Sequence, residues 1–175
     1  MTDSRILEAI KKFLIDNVAS KIKLEKPPVD GRVDGEYELI NPAVYVGWIP
    51  PKNYLDEYGY DIPSLLVVED GGEDNIDEAF LNIRVGIATY DPGQTGQDGR
   101  TIPNVKGYKD LLNLITRIRL ELSKTAVIGE VTSIQKPIKW GLYEEQKYPY
   151  WHGWISFQAS AVPINYQDQG FDKFL

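Results

Sequence analysis

The sequence predicts an α+β fold: a mainly antiparallel sheet with helices packed on one face. Three observations predict it. Apolar residues recur at helical spacing in two segments far apart in the chain, 3–19 and 108–124. Apolar and polar residues alternate with a period of two through 80–90 and again through 148–162. The order along the chain is helix, strands, helix, strands, not the strict alternation that builds a parallel sheet. The 175 residues read as one domain, 1–175, whose least regular parts are a connector at 20–42 and a tail at 165–175. No repeat, low-complexity run or interdomain linker interrupts it.

The elements follow in order. Thr2, Asp3 and Ser4 each carry a side-chain oxygen that can accept the free N–H groups of a first helical turn. Ile6, Leu7, Ile10, Phe13, Leu14 and Val18 then fall on one helical face, with Glu8, Lys11, Lys12 and Asp16 largely elsewhere. Residues 26–42 carry turn chemistry at Pro27-Pro28, Asp30-Gly31 and Asp34-Gly35, with a short strand expected over 36–40. A strand is expected over 44–49, stopped by Pro50-Pro51, because proline cannot donate to a ladder. A short buried strand over 65–68 ends at Asp70-Gly71-Gly72.

The clearest strand is 80–90. Leu81, Ile83, Val85, Ile87 and Thr89 share one face, and the other face is mixed, as in a sheet covered mainly on one side. Residues 91–106 form a Gly- and Pro-punctuated loop. Loops of this length without structure of their own are uncommon in compact domains and are usually functional or disordered. The second helix, 108–124, carries Tyr108, Leu111, Leu112, Ile115, Ile118 and Leu122 as its apolar stripe. Asp110 near its start and Arg117, Arg119 and Lys124 towards its end suit the helix dipole. Strands are expected over 126–134, 138–143 and 148–162, with Glu144-Glu145-Gln146-Lys147 as a polar hairpin connection. The tail, 165–175, is polar, with Phe171, Phe174 and Leu175 near its end.

Composition narrows the function. The net charge is −7, so the surface repels phosphate backbones and nucleic acid is not an expected partner. Lys21, Lys23 and Lys26 are the densest basic group and read as a solvated connector. Cysteine is absent, which removes disulfides, thiolate catalysis and cysteine–zinc sites. The start of the chain lacks the basic flank and apolar run of a secretory signal, and no apolar stretch approaches the length that spans a bilayer.

Catalytic motifs are hard to find. His152 is the one histidine, and it lies inside an expected strand among aromatic neighbours. No G-x-S-x-G occurs. The glycines at 93, 96 and 99 do not make a phosphate loop, because Gly96 is followed by Gln97 and Asp98 and not by lysine and a hydroxyl residue. The acidic run Glu69, Asp70, Glu73, Asp74, Asp77 and Glu78 reads as a solvated turn; a weak cation site and a contact with a basic partner are its alternatives. Glu144 and Glu145 lie near Trp140, Tyr143, Tyr148, Tyr150, Trp151 and Trp154, a composition also found in sugar-binding platforms. Adjacent carboxylates in a strand point to opposite faces, however, and do not form a hydrolytic pair. No cofactor and no enzymatic activity are expected.

Four segments together carry a family resemblance: Asn82–Tyr90 (NIRVGIATY), Gly107–Arg119 (GYKDLLNLITRIR) after the Gly-rich loop, Lys139–Glu145 (KWGLYEE) and Tyr148–Trp154 (YPYWHGW). They resemble the tail-terminator and head–tail joining proteins of long-tailed bacteriophages and of prophage-derived tail-like particles. The resemblance covers residues 79–163, and the first helix fits the same architecture; the Pro- and Gly-rich connector at 26–42 departs from it. It implies a small domain that forms a homo-oligomeric ring, a hexamer, which caps the finished tail tube and stops its polymerisation. The implied partners are further copies of the chain, the tail tube protein and the head–tail connector or neck proteins, with the sheath protein as a further candidate. Neither nucleic acid nor a membrane is among them. The implied location is the tail or neck of the virion, reached from the host cytoplasm during assembly.

A ring subunit needs two different patches, because neighbours meet head-to-tail around a closed axis. Two segments are candidates. One is the loop at Gln94, Thr95, Gly96, Gln97, Asp98, Gly99 and Arg100, whose glycines give reach. The other is the aromatic strand at Tyr150, Trp151 and Trp154, since Tyr and Trp are favoured in interfaces. A head-completion or connector-adaptor protein of the phage neck is the alternative within virion parts. A carbohydrate-binding module or glycoside hydrolase is the alternative of another class.

Overall fold

In the computed structural model, which describes residues 2–29 and 37–164, the first amphipathic segment forms α1 (Asp3–Asn17). Thr2 occupies the N-cap with extended backbone, but its hydroxyl meets Ser4 Oγ at 3.1 Å and caps no backbone N–H. Ile6, Ile10, Phe13, Leu14 and Val18 are buried as the spacing predicts. A short 3-10 turn follows, then β1 (Leu24–Glu25), which pairs antiparallel with β2 (Leu39–Ile40) across the connector. The turn residues Asp30-Gly31 and Asp34-Gly35, and Glu36 of the expected short strand, lie outside the described residues, as does the tail from Asn165 to Leu175.

The main sheet has six strands: β3 (Ala43–Val46), β4 (Ser64–Asp74), β5 (Ala79–Tyr90), β8 (Val127–Ile128), β9 (Thr132–Leu142) and β10 (Tyr150–Ala161). Their spatial order is β3-β4-β5-β10-β9-β8. Only β3 and β4 run parallel; every other neighbouring pair is antiparallel. Between β5 and β9 the chain makes a small two-stranded ribbon, β6 (Gln94–Thr95) with β7 (Thr101–Ile102), and then α2 (Lys106–Lys124).

Both helices cover one face of this sheet. Leu81, Ile83, Val85 and Ile87 of β5, with Ile155, Phe157 and Ala159 of β10, meet Ile10 and Leu14 of α1 and Leu111, Leu114, Ile115 and Ile118 of α2 in one buried cluster. Alternation places these residues inward because side chains in a strand point to opposite faces in turn. The alternate residues on β5 and β10, from Asn82 to Ala88 and from His152 to Ser160, are all half-buried. A second, smaller cluster closes the β3 end of that outer face, where Leu55, Tyr58 and Tyr60 pack on Ala43 and Tyr45.

Several elements differ from the sequence expectation, each for a local reason. The strand expected to stop at Asp70-Gly71-Gly72 runs on to Asp74. A bulge between Glu69 and Gly72 absorbs the glycines, and Gly71 takes φ +113°, which a side chain would resist. The acidic run is therefore a strand and a hairpin arm, and its turn is only Asn75–Glu78. The two strands expected over 126–134 and 138–143 are redivided: Gly129 and Glu130 turn the chain at positive φ between β8 and β9, and β9 then runs unbroken through Pro137. A bulge in β9 accommodates the proline: Lys136, Pro137 and Ile138 stand opposite the single residue Phe157 of β10. The long loop has structure of its own in the β6–β7 ribbon. On α2, Leu114 is fully buried, whereas Leu112 lies outside the contact stripe and is exposed.

Candidate functional site

The β6–β7 ribbon carries Gln94 to Arg100. Its register pairs Gln94 with Ile102 and Thr95 with Thr101. The tip is closed by Gly96 N–H donating to the Arg100 carbonyl at 2.8 Å, and by Arg100 N–H donating to Asp98 Oδ1 at 3.1 Å. All the side chains from Gln94 to Arg100 project into solvent, and only Gly96 is half-buried. The ribbon is thus an ordered projection whose side chains serve no core.

Its base is clamped. Asp91, buried at the end of β5, and Lys106, the first residue of α2, bracket the excursion. Lys106 Nζ lies 3.1 Å from Asp91 Oδ2, 2.9 Å from Glu25 Oε1 of β1 and 3.4 Å from Asp110 Oδ2. Asp91 Oδ1 also accepts Gly93 N–H at 2.7 Å, and the Tyr148 hydroxyl donates to the Pro92 carbonyl. One cation therefore ties together β1, β5 and α2. Burial alone would lower the pKa of Lys106, but hydrogen bonds to Glu25 and Asp91 and the charges around it outweigh that and raise it. Burial raises the pKa of Glu25, partly offset by Lys106.

The aromatic strand is divided between two faces. Trp151 points to the helix side, where its ring meets Tyr108 edge-on at 5.8 Å. Tyr150 lies on the other side, 5.4 Å from Tyr90, which in turn meets Tyr37 at 5.9 Å. Trp154 lies on the open face between Gly86 of β5 and Gly141 of β9. A Cβ on Gly141 would come within 2.8 Å of the indole, so glycine there gives the ring its seat. Beside it, Arg84 pairs with Asp70 at 2.8 Å across the same face. Trp140 points back to the helix side under the Arg119 guanidinium, 3.2 Å from the ring centre. The aromatics that are neighbours in sequence therefore form no single flat platform.

Catalytic groups are not drawn together. Glu144 and Glu145 are both exposed in the connection between β9 and β10. His152 is half-buried on the open face, and burial lowers its pKa. Among the described residues, no group of three or more His, Asp or Glu side chains is placed to hold a metal ion. No helix among them is long and apolar enough to cross a membrane.

The clamp was not legible beforehand, because Glu25 and Lys106 are 81 positions apart. It makes a clear prediction. Lys106→Met leaves Glu25 and Asp91 without their cation and lowers stability by about 1–3 kcal/mol, the half-exposed lysine placing it below a fully buried pair. The sign follows from linkage. A raised lysine pKa stabilises the fold below the unfolded value and is lost as pH rises through the folded one. Burial raises the pKa of Glu25 and the variant loses the cation that offsets it, so the deficit against wild type is largest near neutrality and narrows as pH falls towards about 4. Urea melts of both proteins across that range measure it; a deficit that grew on acidification would contradict the clamp. Compared with known proteins, no family model matches the chain and no curated protein matches it.

Proposed function

We propose that this chain is a structural assembly protein: the ring-forming tail terminator of a long-tailed bacteriophage or a related tail-like particle, which caps the tail tube, stops its polymerisation and joins it to the head connector. The observation that carries the reading is the one-sidedness of the sheet. Two helices cover its inner face, while among the described residues the outer face away from its β3 end, where Trp154 lies, and the β6–β7 ribbon add nothing to the main core cluster. Heterologous ring contacts need two unlike patches of this kind on one subunit. The four sequence segments that resemble tail terminators map onto β5, α2, β9 and β10, the elements that build this arrangement. The reading assigns the chain no catalysis and no cofactor, and it places its work in the virion neck.

The ribbon can be tested without disturbing the fold. Gly93 already lies against the Ile102 backbone, so the chain can be rejoined there. Removing Gln94 to Arg100 is expected to leave the circular dichroism spectrum unchanged and to abolish capping of polymerising tail tubes in electron micrographs. Tubes capped normally by the shortened chain would remove the ribbon from the account. Trp154→Ala is the second arm. It is expected to cost the monomer about 1–2 kcal/mol, less than loss of a fully buried tryptophan, and to weaken association at least about tenfold. A large loss of monomer stability with association intact would make Trp154 a residue of the fold alone.

A further inference from the structure

On the helix side of β9 lies a half-open groove of about 560 Å³ between that strand and α2. Its floor is apolar: Leu120, Pro137, Ile138 and Trp140 line it. Leu120 is 54% exposed and Trp140 48%, and the two adjoin in one groove. Its rim is basic, from Arg119 over Trp140 and Lys136 on the bulged strand. Neither of these cations makes an ion pair among the described residues; the nearby Lys124 already has Glu121 at 3.0 Å. Among the described residues the backbone edge beside the groove is also free: β8 pairs with Thr132 and Ser133, and no other described strand lies outside β9.

The hairpin of β4 and β5 has the opposite character. Its turn presents Ile76, 85% exposed, at the tip. Glu73, Asp77 and Glu78 surround that isoleucine, all exposed and without an ion pair among the described residues. The arm is rigidly zipped: Glu73 pairs with Phe80 and Asp74 with Ala79, and Asn75 N–H donates to the Glu78 carbonyl at 2.8 Å. One apolar knob within an acidic collar thus faces one apolar groove within a basic rim. The hairpin cannot reach its own groove, since β5 and β10 stand between β4 and β9.

We infer that the groove between α2 and β9 is the docking site for the acidic β4–β5 hairpin tip of a second copy of this chain, with Ile76 inserted over Trp140 and Leu120 and with Glu73, Asp77 and Glu78 facing Arg119 and Lys136. The inference deepens the proposed ring by naming its subunit contact. Knob and groove lie on different parts of the molecule, so the contact is heterologous and passes from each copy to the next. The apolar insertion supplies the buried centre, and the charges fix the partner and speed encounter.

The absence of cysteine makes the test clean. An Ile76→Cys chain is mixed with a Ser123→Cys chain and treated with a short bismaleimide; Ser123 lines the groove. A Lys52→Cys chain, exposed at a distance from the groove, serves as the control partner. Crosslinked dimer is expected to exceed the control several-fold, and Ile76→Glu in the otherwise wild-type chain is expected to abolish the oligomer while the melting temperature moves by no more than about 2 °C. Equal crosslinking to both partners, or an oligomer unchanged by Ile76→Glu, overturns the docking site. If the oligomer persists in that variant, the ring reading survives and this contact falls. If specific crosslinking appears but the wild-type chain forms no closed oligomer, the contact stands and the ring reading falls.

Discussion

Everything in this structure depends on burial of one face of a six-stranded sheet under two helices. Ile155 at the centre of β10 and Val85 at the centre of β5 are wholly buried, and residues of both helices meet there. Burying a Val, Leu or Ile side chain contributes about 1.5–3 kcal/mol, so the inner face supplies most of the stabilisation that folding needs. A chain of this length with two long helices has little left to cover the second face. Among the described residues, only the β3 end receives a cover, from Leu55 and the tyrosines around it. The rest of the outer face, the partly unpaired flanks of β4 and β9, and the projecting ribbon follow from that division.

The same division decides which parts of the fold the sequence discloses. β5 and β10 alternate cleanly because one of their faces is buried from end to end, and their expected limits agree with the structure to within two residues. β4 and β9 are hidden by their bulges. Gly71-Gly72 and Pro137 look like terminators, yet a bulge lets a ladder pass through them. The choice between Leu112 and Leu114 on α2 lies beyond periodicity, because both fit a wide stripe and only the angle of the helix on the sheet separates them.

The site is legible to a smaller extent. Gln94 to Arg100 are recognisable as a projection from their glycines, and the aromatic richness around Trp151 is plain. Which face each ring occupies depends on register. Trp154 has its seat only because Gly141 of another strand lies opposite. The clamp at Lys106 and the groove beneath Arg119 each join residues from separate elements, so no local pattern announces them.

On the proposed reading, the surface of this molecule is organised for contact with other subunits. Native mass spectrometry of the wild-type chain over a concentration series addresses that claim most directly. The account predicts monomer giving way to a single closed species of six copies, with no open-ended series beyond it. Monomer at every concentration, or an unbounded ladder of sizes, would contradict it.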